Sequence, residues 1–159
     1  MTAHFPARQA LAPVLVLVVA IGCAQTATAQ VVVSGAWVRG TVEGQTSTVA
    51  YMRLKSDAAA RLVSVSTPLA ARCAVHQMTM DGNLMRMHAV DSLQIPAGGT
   101  VELAPGQQHL MLEGLKRELK EGESVALTLQ FVDASGARQT VQVQAPVQAL
   151  GARAPGAMH

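Results

Sequence analysis

The sequence is poor in cysteine, charge and aromatic side chains. Its 159 residues include 2 cysteines, 14% charged residues and 3% aromatic residues. If Cys23 is removed with an N-terminal signal, Cys73 is the only cysteine left and no internal disulfide can form. The net charge of +2 provides no basic surface of the kind that binds nucleic acid or an anionic membrane. We therefore expect one domain that is stabilised by its hydrophobic core alone.

Residues 1–29 are typical of a secretory signal peptide. A polar start containing Arg8 precedes the apolar run ALAPVLVLVVAIGCA, which is shorter than the ~20 residues of a membrane helix. Ala27-Thr28-Ala29 has the small-x-small form of a cleavage site, so we expect cleavage after Ala29, export to the periplasm and no membrane span in the mature form. The alternative is a lipoprotein acylated at Cys23. It is less favoured because Ala20 stands where such signals usually have Leu.

The mature chain lacks long helical patterns, internal repeats and interdomain linkers. Short alternating or β-branched segments recur instead, separated by Gly and Pro turn signals, and this is typical of an all-β sandwich or barrel. The segments are 36–42, 47–56, 61–68, 73–80, 83–90, 100–105, 109–115, 124–134 and 140–147. The one helical competitor, 115–123, is short and polar. We predict a domain over 30–148 and a loose tail over 149–159.

Histidine and methionine concentrate in HQMTMDGNLMRM, residues 76–87. Asp-Gly between alternating residues predicts a hairpin, and with Asp81-Gly82 as the central turn pair, His76 would face Met87 and Met78 would face Met85. His76 and all four methionines would then lie on one face of the ribbon, since side chains alternate.

A second pair, His109 and Met111, shares one face of a later strand. Two imidazoles and two thioethers suit the soft ion Cu(I), whereas zinc sites normally include thiolate, carboxylate or three imidazoles. A purely structural interpretation remains open at this point: methionine stripes often fill cores, and a strand histidine is often only hydrogen bonded.

The spacing resembles a known family. His76, ten residues, Met87, twenty-one residues and His109-Leu110-Met111 match the H-x10-M-x21-H-x-M pattern of the periplasmic copper chaperones called PCuAC. AWVRGT, AYMRL, IPAGGTVELAPGQQHLMLEGLK and GESVALTLQF also resemble the family, in its order, across residues 34–145.

The resemblance implies more than the residues do. It implies a cupredoxin-like Greek-key β-barrel that holds Cu(I) with His76, Met87, His109 and Met111, with Met78 as a neighbouring methionine. It also implies delivery of copper to the CuA centre of cytochrome c oxidase subunit II, alongside SCO-type assembly proteins.

The sequence departs from the family in two places. The His- and Met-rich extension of many relatives is reduced to Met158 and His159, so a second site there is doubtful. Cys73 is not part of the pattern, and we interpret it as a small buried hydrophobe on the strand face opposite His76.

Three other classes of protein compare less well with the sequence than the chaperone. A blue-copper electron carrier would use Cys73, His76 and Met80, but it needs a further histidine upstream, and residues 31–72 contain none. A β-sandwich interaction module without metal would use the methionine face as core. An enzyme is not expected, because no triad, phosphate loop or HExxH motif is present.

Overall fold

The computed structural model describes residues 29–152, and within that range the chain forms ten β-strands and no helix. The strands are β1 (Val31–Arg39), β2 (Ser47–Ser56), β3 (Ala60–Ser66), β4 (Ala70–Asp81), β5 (Leu84–Val90), β6 (Leu93–Ile95), β7 (Thr100–Leu103), β8 (His109–Leu115), β9 (Ser124–Asp133) and β10 (Arg138–Gln148). The predicted all-β class is confirmed. The predicted signal peptide, with Cys23, and the end of the tail, with Met158 and His159, lie outside the described residues.

The strands form two layers that join along one parallel contact. The first layer has the order β5-β4-β8-β2-β1, and β7 pairs with the second half of β2. The second layer has the order β10-β9-β3-β6. The layers join where β1 runs parallel to β10, at Val38 opposite Val147. None of the described residues forms a helix of the length and hydrophobicity that a membrane crossing requires.

The core fills the space between the layers. Leu110 and Leu112 of β8 and Leu127 and Leu129 of β9 are 0% exposed, and Phe131 is 1% exposed. Full burial of such a side chain stabilises the fold by about 1.5–3 kcal/mol. Because alternate residues point to opposite faces, the strands that supply this core also present a second row of side chains on the outer face of each layer.

The predicted strands agree with the structure except at their ends and at one short element. Segments 47–56 and 109–115 coincide with β2 and β8. β1 begins at Val31 rather than residue 36, because the register shift between Ser34 and Trp37, with Gly35 at φ 59°, absorbs a residue in mid-strand. β6 has only three residues, too few for a pattern to reveal it.

The predicted hairpin exists, but its predicted register is wrong. Asp81 pairs with Leu84, so the central turn residues are Gly82 and Asn83. Gly82 has φ 63°, and no non-glycine residue among those described has positive φ. These angles fit a type II′ turn with glycine first, whereas Asp-Gly as the central pair of a type I′ turn would need Asp81 at positive φ.

The corrected register changes partners but not faces. Met78 lies opposite Met87, Met80 lies opposite Met85, and His76 lies opposite Ala89 rather than Met87. His76 and the four methionines still share one face of the hairpin, as expected, because the shift moves every pair by two positions.

Candidate metal site

His76 and His109 lie opposite each other on neighbouring strands. The pair belongs to the antiparallel ladder of β4 and β8, and the two ring centroids are 5.9 Å apart with the planes at 57°. Val75 and Leu110 form the next pair and point into the core. The two imidazoles therefore occupy the outer surface of the first layer, which we call the histidine face.

His109 is held in one orientation. It is 7% exposed, and its Nδ1 lies 3.2 Å from the backbone carbonyl oxygen of Gln107. Since a carbonyl oxygen only accepts, this hydrogen bond places the ring proton on Nδ1. In the neutral imidazole Nε2 then keeps its lone pair, the form in which a histidine binds a metal ion, and a partner on the other nitrogen is typical of metal ligands.

His76 is half-buried and less constrained. Its Nδ1 is buried and has no hydrogen-bond partner among the described residues. Burial, followed by the neighbouring charge of His109, lowers the pKa of His76 below its ordinary value of 6.5. The imidazole is consequently neutral at pH 7, with an unpaired nitrogen of the kind that native structures usually satisfy.

Thioethers flank the histidine pair along the ladder on both sides. Met111 lies opposite Ala74, two residues from the histidines towards the body of the domain. Met78 lies opposite Met87, two residues from His76 towards the hairpin tip. Successive pairs on one face are about 6.8 Å apart, two residues at ~3.4 Å each. Met87 and Met111 are thus diagonal neighbours of His76, and a diagonal separation of ~7–8 Å is within reach of long side chains.

The carboxylate on the same face of β8 is already paired. Glu113, which acts on the pKa of His76, is bonded by Arg72, with Nε 2.8 Å from Oε2. No cluster of three or more His, Cys, Asp or Glu side chains suited to a metal occurs in residues 29–152. A metal ion here would therefore have nitrogen and neutral sulfur as its only side-chain ligands.

Cys73 lies on the other face of β4, as the sequence predicts. It pairs with Leu112, and it packs against the hydrophobic core. Desolvation raises the pKa of its thiol to about 11. Cys73 is therefore a protonated, half-buried thiol that points away from the two histidines.

Three residues of the histidine face lie in AWVRGT and AYMRL, segments that resemble the family, but were not predicted as part of the site. Trp37 and Tyr51 lie opposite each other on β1 and β2, with ring centroids 4.6 Å apart, and are 2% and 5% exposed. Arg39 donates from Nη2 to the Tyr51 hydroxyl at 3.1 Å. The β2–β8 register, Ala50 opposite Leu110, puts Tyr51 beside His109. This group closes the histidine face on the β1 side, with the two rings tilted at 42°, and its position beside His109 follows from the strand order.

Comparison with known proteins identifies relatives at the level of sequence. The profile of the family described as "Putative lipoprotein LpqE-like" matches residues 31–147. The "Putative lipoprotein Lxx21020" of Leifsonia xyli subsp. xyli is 34% identical over 113 residues, which cover 70% of this chain and 68% of that protein.

Solved structures show the same fold. The apo PCuAC domain of PmoF2 superposes with a TM-score of 0.64 at 23% identity, over 81% of this chain and 98% of that domain. The solution structure of CuI-DR1885 from Deinococcus radiodurans gives 0.57 at 37% identity, over 80% of this chain and 83% of the other. The expected resemblance to PCuAC domains and the expected cupredoxin-like β fold are both confirmed.

Proposed function

We propose, from the premise that the chain belongs to the LpqE-like family, that it is an exported copper chaperone carrying Cu(I) on His76, Met87, His109 and Met111. Copper is the cargo of the proposed chaperone, not a resident cofactor. The observation that carries the proposal is the pairing of His76 with His109, whose ring centroids are 5.9 Å apart. The Met78–Met87 pair lies on one side of the two histidines and Met111 lies on the other. The Cu(I) form of DR1885, a protein 37% identical to this chain, supports the same cargo.

The donor set favours Cu(I) over other biological cations. Calcium and magnesium require oxygen ligands, and zinc normally requires thiolate, carboxylate or a third imidazole. Neutral imidazole and thioether suit a soft monovalent ion. The lowered pKa of His76 helps, because a neutral ring needs no deprotonation before it binds.

The two ends of the site differ in accessibility, and this supports a carrier role. His109 is 7% exposed and anchored to Gln107, whereas Met87 is 52% exposed on the edge strand β5. An acceptor would approach from the Met87 side and replace the thioethers first, while His109 holds the ion until the acceptor ligands are in place. Thioethers make this exchange easier than thiolates would, because they bind soft copper less strongly.

We propose the CuA centre of cytochrome c oxidase subunit II, with SCO-type assembly proteins, as the destination in the periplasm. The family pattern His76, Met87, His109 and Met111 motivates this choice. Mixing the Cu(I)-loaded protein with an apo CuA domain and a reduced SCO-type protein should transfer copper and produce the CuA absorption after oxidation. Copper that stays on this chain in that mixture would contradict the destination without affecting the site.

The route of export also needs a direct test. Cleavage after Ala29 is expected from the small-x-small motif, whereas the lipoprotein names of the related family and protein support acylation at Cys23. The mass of the mature N-terminus distinguishes the two. A chain beginning at Gln30 supports the soluble periplasmic form, and a diacylated chain beginning at Cys23 supports a membrane-anchored form.

The site itself is tested by ligand substitution. We expect His76→Ala and His109→Ala to weaken Cu(I) binding more than Met87→Leu or Met111→Leu, because imidazole is the better donor. The matched control is His88→Ala, since His88 is an exposed histidine of the same hairpin on the opposite face. Competition with a Cu(I) chelator measures each affinity. Equal losses in the control and the His76 variant would contradict the proposed ligands.

A further inference from the structure

The methionines at the hairpin tip are not core residues. Met80 is 65% exposed, Met85 58% and Met87 52%, although methionine stripes usually fill gaps in a core. Leu84 on the opposite face of the same tip is 57% exposed, so neither face of the tip is packed against the domain. The packing explanation for the methionine density therefore fails for this part of the hairpin.

The turn pairs these methionines with one another. Gly82 and Asn83 as central residues put Met80 opposite Met85 and Met78 opposite Met87. Opposed side chains of an antiparallel pair have Cβ atoms ~4.5–5.5 Å apart. Two extended thioethers can bring their sulfurs to one ion from that separation. Four thioethers therefore occupy two successive rungs, which we call the methionine ladder: Met78–Met87 and Met80–Met85.

The outer rung of the methionine ladder is too far from the histidines to share their ion. Met80 lies four residues beyond His76 on β4, which corresponds to about 14 Å at ~3.4 Å per residue. Met87 lies between the two positions, on the rung next to both. The outer rung is thus a separate set of donors, and Met87 is the residue that the two sets have in common.

We propose that the methionine ladder is a second Cu(I) site, built from Met80 and Met85 with a sulfur of the inner rung, which passes the ion to and from the histidine pair. The proposal rests on the proposed function for the identity of its cargo. The ion remains Cu(I) throughout: bonds to Met80 and Met85 break as bonds to His76, His109 and Met111 form, while Met87 stays bound. No proton or electron moves, because thioethers are neutral in both states.

The chemistry of the ladder sets its selectivity. A site with thioether ligands alone suits Cu(I) or Ag(I) and disfavours Cu(II) and Zn(II), which prefer nitrogen, oxygen or thiolate. The charged groups of the hairpin tip, Asp81 and Arg86, pair with each other at 3.1 Å and are both exposed. The ladder therefore has less net attraction for hard cations than a carboxylate-bearing site would have, and we expect weaker binding than at the histidine pair.

The test is a titration of the mature protein, labelled with ¹³C at the methionine methyl groups, with Ag(I) as a redox-inert substitute for Cu(I). The first equivalent should move the methyl signals of Met87 and Met111, and the second should move those of Met80 and Met85. Met52, which is 2% exposed in the core, is the internal reference. One equivalent in total, or no movement of Met80 and Met85 with the second, overturns the proposal.

Two variants separate this proposal from the histidine site. Met80→Leu/Met85→Leu keeps the apolar surface, removes the sulfur, and should reduce the stoichiometry from two to one with the first site unchanged. His76→Ala/His109→Ala should lose the first site and still move Met80 and Met85. The control is Leu84→Ala, which alters the opposite face of the tip and should keep both equivalents.

The outcomes of these variants are distinguishable. Loss of both sites in Met80→Leu/Met85→Leu, or an unchanged stoichiometry of two, contradicts the ladder. Failure of the first equivalent in the wild type, with Met80 and Met85 still moving, contradicts the proposed histidine site and leaves the ladder standing. Equal loss of the second equivalent in Leu84→Ala would also contradict the ladder, because that variant leaves all four thioethers in place.

Discussion

Cys73 gives the sharpest distinction between the proposed chaperone and a blue-copper protein. A blue-copper site requires a cysteine thiolate as ligand. In this fold desolvation raises the pKa of Cys73 from 9.0 to about 11, and the side chain lies on the face of β4 opposite His76. We therefore expect a thiol that is chemically quiet and plays no part in copper binding.

The size of the effect follows from the pKa. A rise of two units lowers the thiolate fraction at pH 7.5 about a hundredfold relative to an unfolded chain, and the thiolate is the reactive species. Half-burial against the core adds steric protection. Alkylation by iodoacetamide should therefore be at least about 100-fold slower in the native protein than in urea, where the same cysteine serves as its own control.

Cys73→Ala completes the experiment. The variant should bind Cu(I) with unchanged affinity, since the thiol points away from the two histidines. The Cu(II)-treated wild type should show no intense blue band. A native alkylation rate within a few-fold of the unfolded rate, or a tenfold loss of Cu(I) affinity in Cys73→Ala, would refute the assignment of Cys73 to the core.

Three further predictions concern the frame around the site. Gly82→Ala should lower the free energy of unfolding by about 1–2 kcal/mol, because Gly82 has φ 63°. A Cβ at this position would meet open space, so backbone strain is the only penalty. An unchanged thermal midpoint would contradict the type II′ turn. The Leu119 N–H donates to the Thr41 hydroxyl at 2.9 Å. Thr41→Val removes this acceptor and should lower the free energy of unfolding by about 1–3 kcal/mol. Thr41→Ser keeps the hydroxyl and should recover most of the loss in urea unfolding. Hydrogen bonds, first from the Ser135 hydroxyl, lower the pKa of Asp133, so its stabilisation is present above the ordinary value of 3.8 and is lost as the pH falls through the lowered value. Melting curves should accordingly separate wild type from Asp133→Asn at pH 7 and converge in acid, and a gap that persists below pH 3.8 without narrowing would count against this.

Alternation along single strands could be predicted from the sequence, and contacts between distant strands could not. β2 and β8 follow from their patterns because one side of each faces the core. The face shared by His76 and the methionines was predicted correctly for the same reason. The pairing of His76 with His109 depends on β4 lying beside β8, a neighbour that is not consecutive in the chain. No local pattern specifies such a neighbour.

The error in the hairpin register has a local physical cause. Asp-Gly and Gly-Asn overlap in the stretch Asp81-Gly82-Asn83, and both are good turn pairs. The choice depends on which residue takes positive φ, and only glycine does so among the described residues. The exposure of Met80 and Met85 at the tip could not be predicted either, because the sequence does not distinguish a methionine that packs in the core from one that projects into solvent.

The central claim is that His76 and His109 hold one Cu(I) with sulfur from methionine. X-ray absorption at the copper edge, measured on the protein loaded with one equivalent of Cu(I), tests it most directly. We expect a colourless complex with two nitrogen and two sulfur neighbours, and loss of nitrogen in His76→Ala with His88→Ala unchanged. A first shell of nitrogen and oxygen without sulfur, or a spectrum that His76→Ala does not alter, would contradict it.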